Sequence, residues 1–411
     1  MSSAQGTQAN ERPAMTESAL ILDPKHTLPT PGAGGREPVL VGRAWRPGIG
    51  PCVVTVRGGA VIDITSRATP TVRDLAESED PAGLARDLPG TPIGSIADLL
   101  AQSDEARRRG DAPFLLSPID LQAVKASGVT FVTSLLERVI EEQARGAPDK
   151  AQAIRADITR LIGTDLSALK PGSPAALDVK EALIARGMWS QYLEVGIGPD
   201  AEIFTKGQPL SSVGTGAHVG ILPSSVWNNP EPEVAILVTS RGAIVGATLA
   251  NDMNLRDVEG RSALLLGRAK DNNASCSIGP FVRLFDAGFS LDDVRAADLG
   301  LTVEGPDGFR LEGSSSMRQI SRDPVELAAA TLSENHHYPD GFVLLLGTMF
   351  APVQDRDRPG EGFTHKVGDV VTIATPALGA LSNRVRHCAD CAPWDFGASD
   401  LMRNLAGRGL L

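Results

Sequence analysis

The chain has 411 residues, enough for two or three domains at roughly 100–200 residues each, which excludes a small disulfide scaffold. Its 42% apolar and 22% charged composition is globular, and no run approaches the ~18 apolar residues of a spanning helix, so no membrane partner is expected. Fifty acidic residues against 39 basic ones give a formal charge of −11, which disfavours nucleic acid and leaves metals and small ligands. The 4 cysteines, of which only Cys388 and Cys391 are close, fit a reducing compartment.

In chain order, residues 1–36 are rich in Ser, Gly, Pro and Thr without an apolar period, and read as a flexible tail. No basic region followed by an apolar one marks an export signal, so a cytoplasmic location is the expectation. Residues 37–116 read as a small α+β domain. Strand signals at Val39–Ala44, Cys52–Val56 and Ala60–Thr65, the last two flanking Arg57-Gly58-Gly59, suggest a hairpin, and helical patterns follow at Thr71–Ala76 and Ser95–Leu100. From residue 117 to 411 the pattern changes to helices near Thr133–Arg145, Lys150–Ile162 and Ala175–Ala185, then mostly strands after Ala201. Helices followed by strands predict an α+β fold rather than alternating βαβ units.

The chemistry gathers in Asn229-Pro230-Glu231-Pro232-Glu233 and the apolar run behind it. On a strand, the period of two puts Glu231 and Glu233 on one face, and Pro232 marks a strand start or an edge. A turn at Ser240-Arg241-Gly242 returns the chain as Ala243–Ala250, so paired residue numbers should sum to about 483 in this hairpin register, setting Asp252 opposite Glu231. Three close carboxylates repel unless protonated or bound to a cation. Oxygen donors alone point to a hard ion, Mg²⁺ first, with Mn²⁺ or Ca²⁺ as alternatives. A solvated strand entry is the bland reading of the same residues.

This segment, with Asn251-Asp252-Met253-Asn254-Leu255-Arg256-Asp257, resembles the metal-binding core of the fumarylacetoacetate hydrolase superfamily. The resemblance runs through Lys270, Gly279-Pro280, Tyr338-Pro339-Asp340-Gly341, Gly347-Thr348 and Val367-Gly368-Asp369, and covers roughly residues 117–406. It implies a β-rich catalytic domain of that fold and a metal held by Glu231, Glu233 and Asp252. The branch most similar is that of the 2-keto-3-deoxy pentonate dehydratases. That likeness implies a hydro-lyase converting 2-dehydro-3-deoxy-D-arabinonate (D-xylonate) to 2,5-dioxopentanoate in pentose catabolism, in a homo-oligomer (dimer or tetramer). It also implies Glu141, Glu202 and Lys270 as catalytic residues, with Lys270 and Thr348 binding the 2-keto-3-deoxy sugar acid. Many hydrolases of the superfamily carry a water-activating histidine in the segment after Gly128, whereas here no histidine occurs between His26 and His218. The alternatives are a C–C hydrolase or decarboxylase acting on 2-oxo acids, and a non-catalytic binding protein of the same fold. Cys388-Ala389-Asp390-Cys391 is half of a zinc pattern without its second pair, and Asp355-Arg356-Asp357-Arg358 reads as a solvated cluster or a rim near the site.

Overall fold

The computed structural model describes residues 19–145, 150, 169–185, 187, 189–348, 350, 352, 354–360 and 362–411, with the side chains at 33, 132–134, 136 and 141 left aside. The expected helix over Lys150–Ile162 falls almost wholly outside these residues. In chain order the strands are β1 (Leu40–Arg46), β2 (Gly50–Arg57), β3 (Ala60–Asp63), β4 (Thr91–Ser95), β5 (Phe114–Leu115) and β6 (Ala123–Gly128). Then come β7 (Glu202–Gly207), β8 (His218–Ile221), β9 (Asn228–Asn229), β10 (Pro232–Val238), β11 (Ile244–Asp252) and β12 (Asn254–Leu255). The last are β13 (Cys276–Leu284), β14 (Asp298–Glu304), β15 (Arg310–Ser316), β16 (Phe342–Leu345), β17 (Val370–Thr375) and β18 (Gly379–His387). Eleven of them form one sheet in the order β4-β3-β2-β1-β13-β11-β10-β16-β6-β7, with β5 on β1. A second sheet runs β15-β14-β17-β18-β8. Helices and sheets are segregated as the α+β expectation requires. Among the described residues no helix is long and apolar enough to cross a membrane.

β10 lies inside the large sheet and is buried along its whole length. That explains an unbroken apolar run where a half-exposed strand would alternate. Val234, Ile236 and Val238 enter the core shared with the second sheet, while Ala235 and Leu237 enter a core on the opposite face with Val41, Val72 and Leu75. The hairpin register is the one expected: Pro232 pairs with Asn251 and Glu233 with Ala250. The backbone N–H of Asp252 donates to the carbonyl of Glu231 at 3.0 Å. A slip of one residue would have turned Asp252 to the other face.

Two boundaries differ from the sequence reading. The strands of residues 37–116 do not make a sheet of their own, because β1 pairs with β13 through Leu40–Arg283 and Val41–Val282 and so extends the sheet that carries the carboxylates. The tail reading of residues 1–36 fails from Leu20 onward. Leu20 and Leu22 are buried in an apolar cluster with Leu40, Leu99 and Phe281, and a short helix, Pro24–Thr27, is capped by Asp23. Thr30 also donates to the carbonyl of Pro376 at 2.9 Å. Two leucines are too few to register as a period, yet they suffice to bury a segment when a groove receives them.

Candidate active site

Glu231 and Glu233 share the face of β10 that continues into Ala235 and Leu237, and Asp252 meets them from the end of β11. All three are buried, and one oxygen from each lies within 4.8 Å of the others. Strand β7 contributes from the neighbouring edge. Its residues Glu202 and Phe204 share one face, Gly128 of β6 pairs with Glu202, and the register shifts at Lys206. The loop after β16 supplies Gly347 and Thr348, and two short helices, Arg256–Glu259 and Leu266–Lys270, end at Glu259 and Lys270. Glu202, Phe204, Glu231, Glu233, Asp252, Glu259, Lys270, Arg138 and Thr348 line one small cavity with Ser127, Gly128 and Val129.

Charge in this cavity is paired closely. Lys270 Nζ donates to Glu231 and, at 3.1 Å, to Asp252 Oδ2. Arg138, on the helix Val132–Ala144, bonds Glu231 and also lies 2.8 Å from Glu259 Oε2. Burial pushes the Glu231 carboxyl up, but the Arg138 and Lys270 charges outweigh it and hold Glu231 below the usual range. Burial pulls Lys270 down, and the charges of Asp252 and Glu231 outweigh that, leaving its pKa raised. Glu233 has a different environment: its Oε2 accepts from the Gly347 N–H at 2.7 Å. Burial first, and then the charges of Asp252 and Glu231, raise Glu233 well above an ordinary carboxyl. Burial raises Glu202 too, against the opposing pull of Arg138 and Lys270.

These residues fit a hard divalent cation. Three carboxylates converge, and Lys270 already places an ammonium on two of them, a sign of how strongly the cluster attracts positive charge. Glu231, Glu233 and Asp252 would hold the ion.

Of the residues singled out in the sequence, Glu202, Glu231, Glu233, Asp252, Lys270 and Thr348 come together here. Thr348 is buried, and its hydroxyl donates to the Phe350 carbonyl at 3.0 Å. Glu141 lies on the helix Val132–Ala144, but its side chain is outside the described residues. Arg138, Lys206 and Glu259 were missed. Nothing in their local sequence marks these charged side chains as buried, since each is buried by segments distant along the chain. The cysteine pair is buried, and burial pushes the thiols of Cys388 and Cys391 up to about 11 and about 12. Arg356, expected on a solvated cluster or rim, is buried: its guanidinium meets Asp369 Oδ2 at 2.6 Å and Asp307 Oδ1 at 3.1 Å.

Residues 199–386 match the fumarylacetoacetate (FAA) hydrolase C-terminal family. The chain is 31% identical over 198 residues to a probable 2-keto-3-deoxyxylonate dehydratase of Haloferax volcanii, covering 48% of this chain and 64% of that protein. It is 29% identical over 176 residues to the 2-dehydro-3-deoxy-D-arabinonate dehydratase of Saccharolobus solfataricus, covering 43% of this chain and 58% of the relative. The matched stretch thus spans about three-fifths of these curated relatives. A solved 2-keto-3-deoxy-D-arabinonate dehydratase, complexed with magnesium and 2,5-dioxopentanoate, has the same fold with a TM-score of 0.59 at 21% identity, over 85% of this chain and 99% of that one. The family match over residues 199–386 takes in the segments that carry Glu202, Glu231, Glu233, Asp252, Lys270 and Thr348.

Proposed function

We propose that this protein is a metal-dependent hydro-lyase that dehydrates 2-dehydro-3-deoxy-D-arabinonate (D-xylonate) to 2,5-dioxopentanoate. The observation that carries the proposal is Glu202, a half-buried carboxyl with a raised pKa in the same cavity as the three metal-type carboxylates. The two dehydratase relatives support the same reading. A divalent ion at Glu231, Glu233 and Asp252 would supply Lewis-acid charge that makes the C3 proton of a 2-oxo acid easier to remove.

The chain's own residues then have separable tasks. Dehydration breaks a C3–H bond and the C4–O bond, so one group takes a proton and another protonates the departing hydroxyl as water. A further proton shift from C5 to C3, followed by tautomerisation, yields the C5 aldehyde. Glu202 is suited to proton transfer because burial brings its pKa toward neutrality. Glu141 is the second candidate, by the family resemblance. Lys270, which keeps its positive charge, stabilises negative charge developing on the 2-oxo group. Thr348, on the cavity wall, orients the substrate carboxylate.

Dehydration is favoured over C–C hydrolysis because no histidine stands among the described residues lining the cavity. Incubation with Mg²⁺ and 2-keto-3-deoxy-D-pentonate should release 2,5-dioxopentanoate and leave acylpyruvates intact. Glu202→Gln should cut turnover by roughly 10²–10⁴-fold while retaining metal binding. Acylpyruvate cleavage without aldehyde formation would reverse the assignment. The sugar-acid substrate, a cytoplasmic setting and homo-oligomeric assembly belong to the same proposal.

A further inference from the structure

Two lysines grip Asp252, one on each carboxylate oxygen, and their surroundings are opposite in kind. Lys270 Nζ reaches Oδ2 from the cavity and also holds Glu231. Lys206 Nζ lies 2.7 Å from Oδ1, in an ion contact outside hydrogen-bond alignment. Its side chain has 0% exposure and is not among the residues lining the cavity. The same ammonium donates to the carbonyl of Met253 at 3.1 Å and to the carbonyl of Lys270. Ser275 Oγ lies 3.5 Å away and in turn donates to the Lys270 carbonyl at 2.8 Å. Lys206 therefore touches the side chain of one site residue, the backbone next to it, and the backbone of a second site residue.

We propose that Lys206 is a positioning residue of the carboxylate site, orienting Asp252 and tying residues 253 and 270 together from behind the cavity. The inference rests on reading Glu231, Glu233 and Asp252 as the metal ligands. It makes a prediction in sign. By Coulomb's law alone, deleting a cation beside a metal site should strengthen binding of a divalent ion. A residue that orients a ligand acts the other way, since removing such outer partners typically weakens metal affinity about 10–100-fold. Lys270, which occupies oxygens the ion would need, should follow the Coulomb direction.

The test is a calorimetric titration of the purified full chain with MgCl₂, comparing wild type, Lys206→Met, Lys206→Gln and Lys270→Met. The expected result is roughly 10–100-fold weaker binding in Lys206→Met. Lys206→Gln, which keeps a hydrogen-bond donor without the charge, should recover part of the loss, and Lys270→Met should bind more tightly than wild type. If Lys206→Met does not fold, the sign is read from Lys206→Gln against wild type. Metal-free thermal melts separate weakened affinity from lost structure. Unchanged or tighter Mg²⁺ binding in the folded Lys206 variants overturns the inference. A wild-type chain that does not bind Mg²⁺ overturns the metal-site reading itself.

Discussion

The cavity's behaviour turns on where single side chains are allowed to stand, and Gly128 shows this most directly. A Cβ at that position would lie 1.7 Å from Glu202 Oε2. The clash falls on the end of a flexible side chain, so the fold can accommodate it only by moving the carboxylate. Gly128→Ala is expected to change the melting temperature little while lowering turnover about 10²-fold, as a roughly 1 Å misplacement can; unchanged turnover would show that the position of Glu202 is immaterial. A second prediction concerns His365, buried with Nδ1 2.9 Å from Asp369 Oδ2. Burial holds its pKa below the free imidazole value against the opposing pull of Asp369, so the folded protein resists its protonation. An unfolded chain would protonate it from about pH 6.5 downward, taking up more protons than the native state, so stability should fall with pH between that point and the lowered folded value. Asp369 adds to the same slope at more acid pH. Burial pushes its carboxyl up, but bonds from Arg356 and His365 outweigh it, and their stabilisation is lost as the carboxylate protonates. Melting curves should therefore drop from pH 7.5 to 5.5, and His365→Asn should flatten the decline; an unaltered slope in the variant would assign it elsewhere. The role of His365 was hidden in the sequence because nothing local distinguishes a buried imidazole from an exposed one.

At the scale of elements, legibility followed the range of the interactions. Apart from a one-residue register shift after Leu237, the β10–β11 hairpin could be read down to the residue facing Asp252, because its register depends on a turn and a period of two within some twenty residues. Ser95 was legible as a helix start for a similar reason: its hydroxyl accepts from the Asp98 N–H at the head of the helix Ile96–Ser103. The β1–β13 pairing left no such trace, since strands distant in sequence carry no local mark of their partner. The apolar run after Glu233 could be recognised as a strand, and its burial and energetic weight are now assignable. Leu237 is wholly buried in the interior of the large sheet, so Leu237→Ala should cost about 2–5 kcal/mol in urea unfolding. Leu264 is 96% exposed, and the same change there should stay within about 0.5 kcal/mol. Equal costs at the two positions would contradict this placement of the core.

Considered as a whole, the molecule joins its N-terminal strands and its carboxylate-bearing strands in one sheet, with a second sheet packed across a shared core. The order of the large sheet separates the two walls of the cavity. β10 and β11, which carry Glu233 and Asp252, have partners on both sides, whereas β7, which carries Glu202, ends the hydrogen-bonded series. Amides of an interior strand are released to solvent chiefly by global opening, and those of a terminal strand by cheaper local fluctuations. In a hydrogen–deuterium exchange time course, β10 and β11 should be among the last segments to gain mass and β7 distinctly earlier; matching rates would refute the contrast. The consequence is a division of labour in time. With that contrast, the carboxylate cluster would sit on a slowly opening part of the sheet and Glu202 on a margin able to open without it, so that a reactant could be exchanged while the charged platform beneath it keeps its shape.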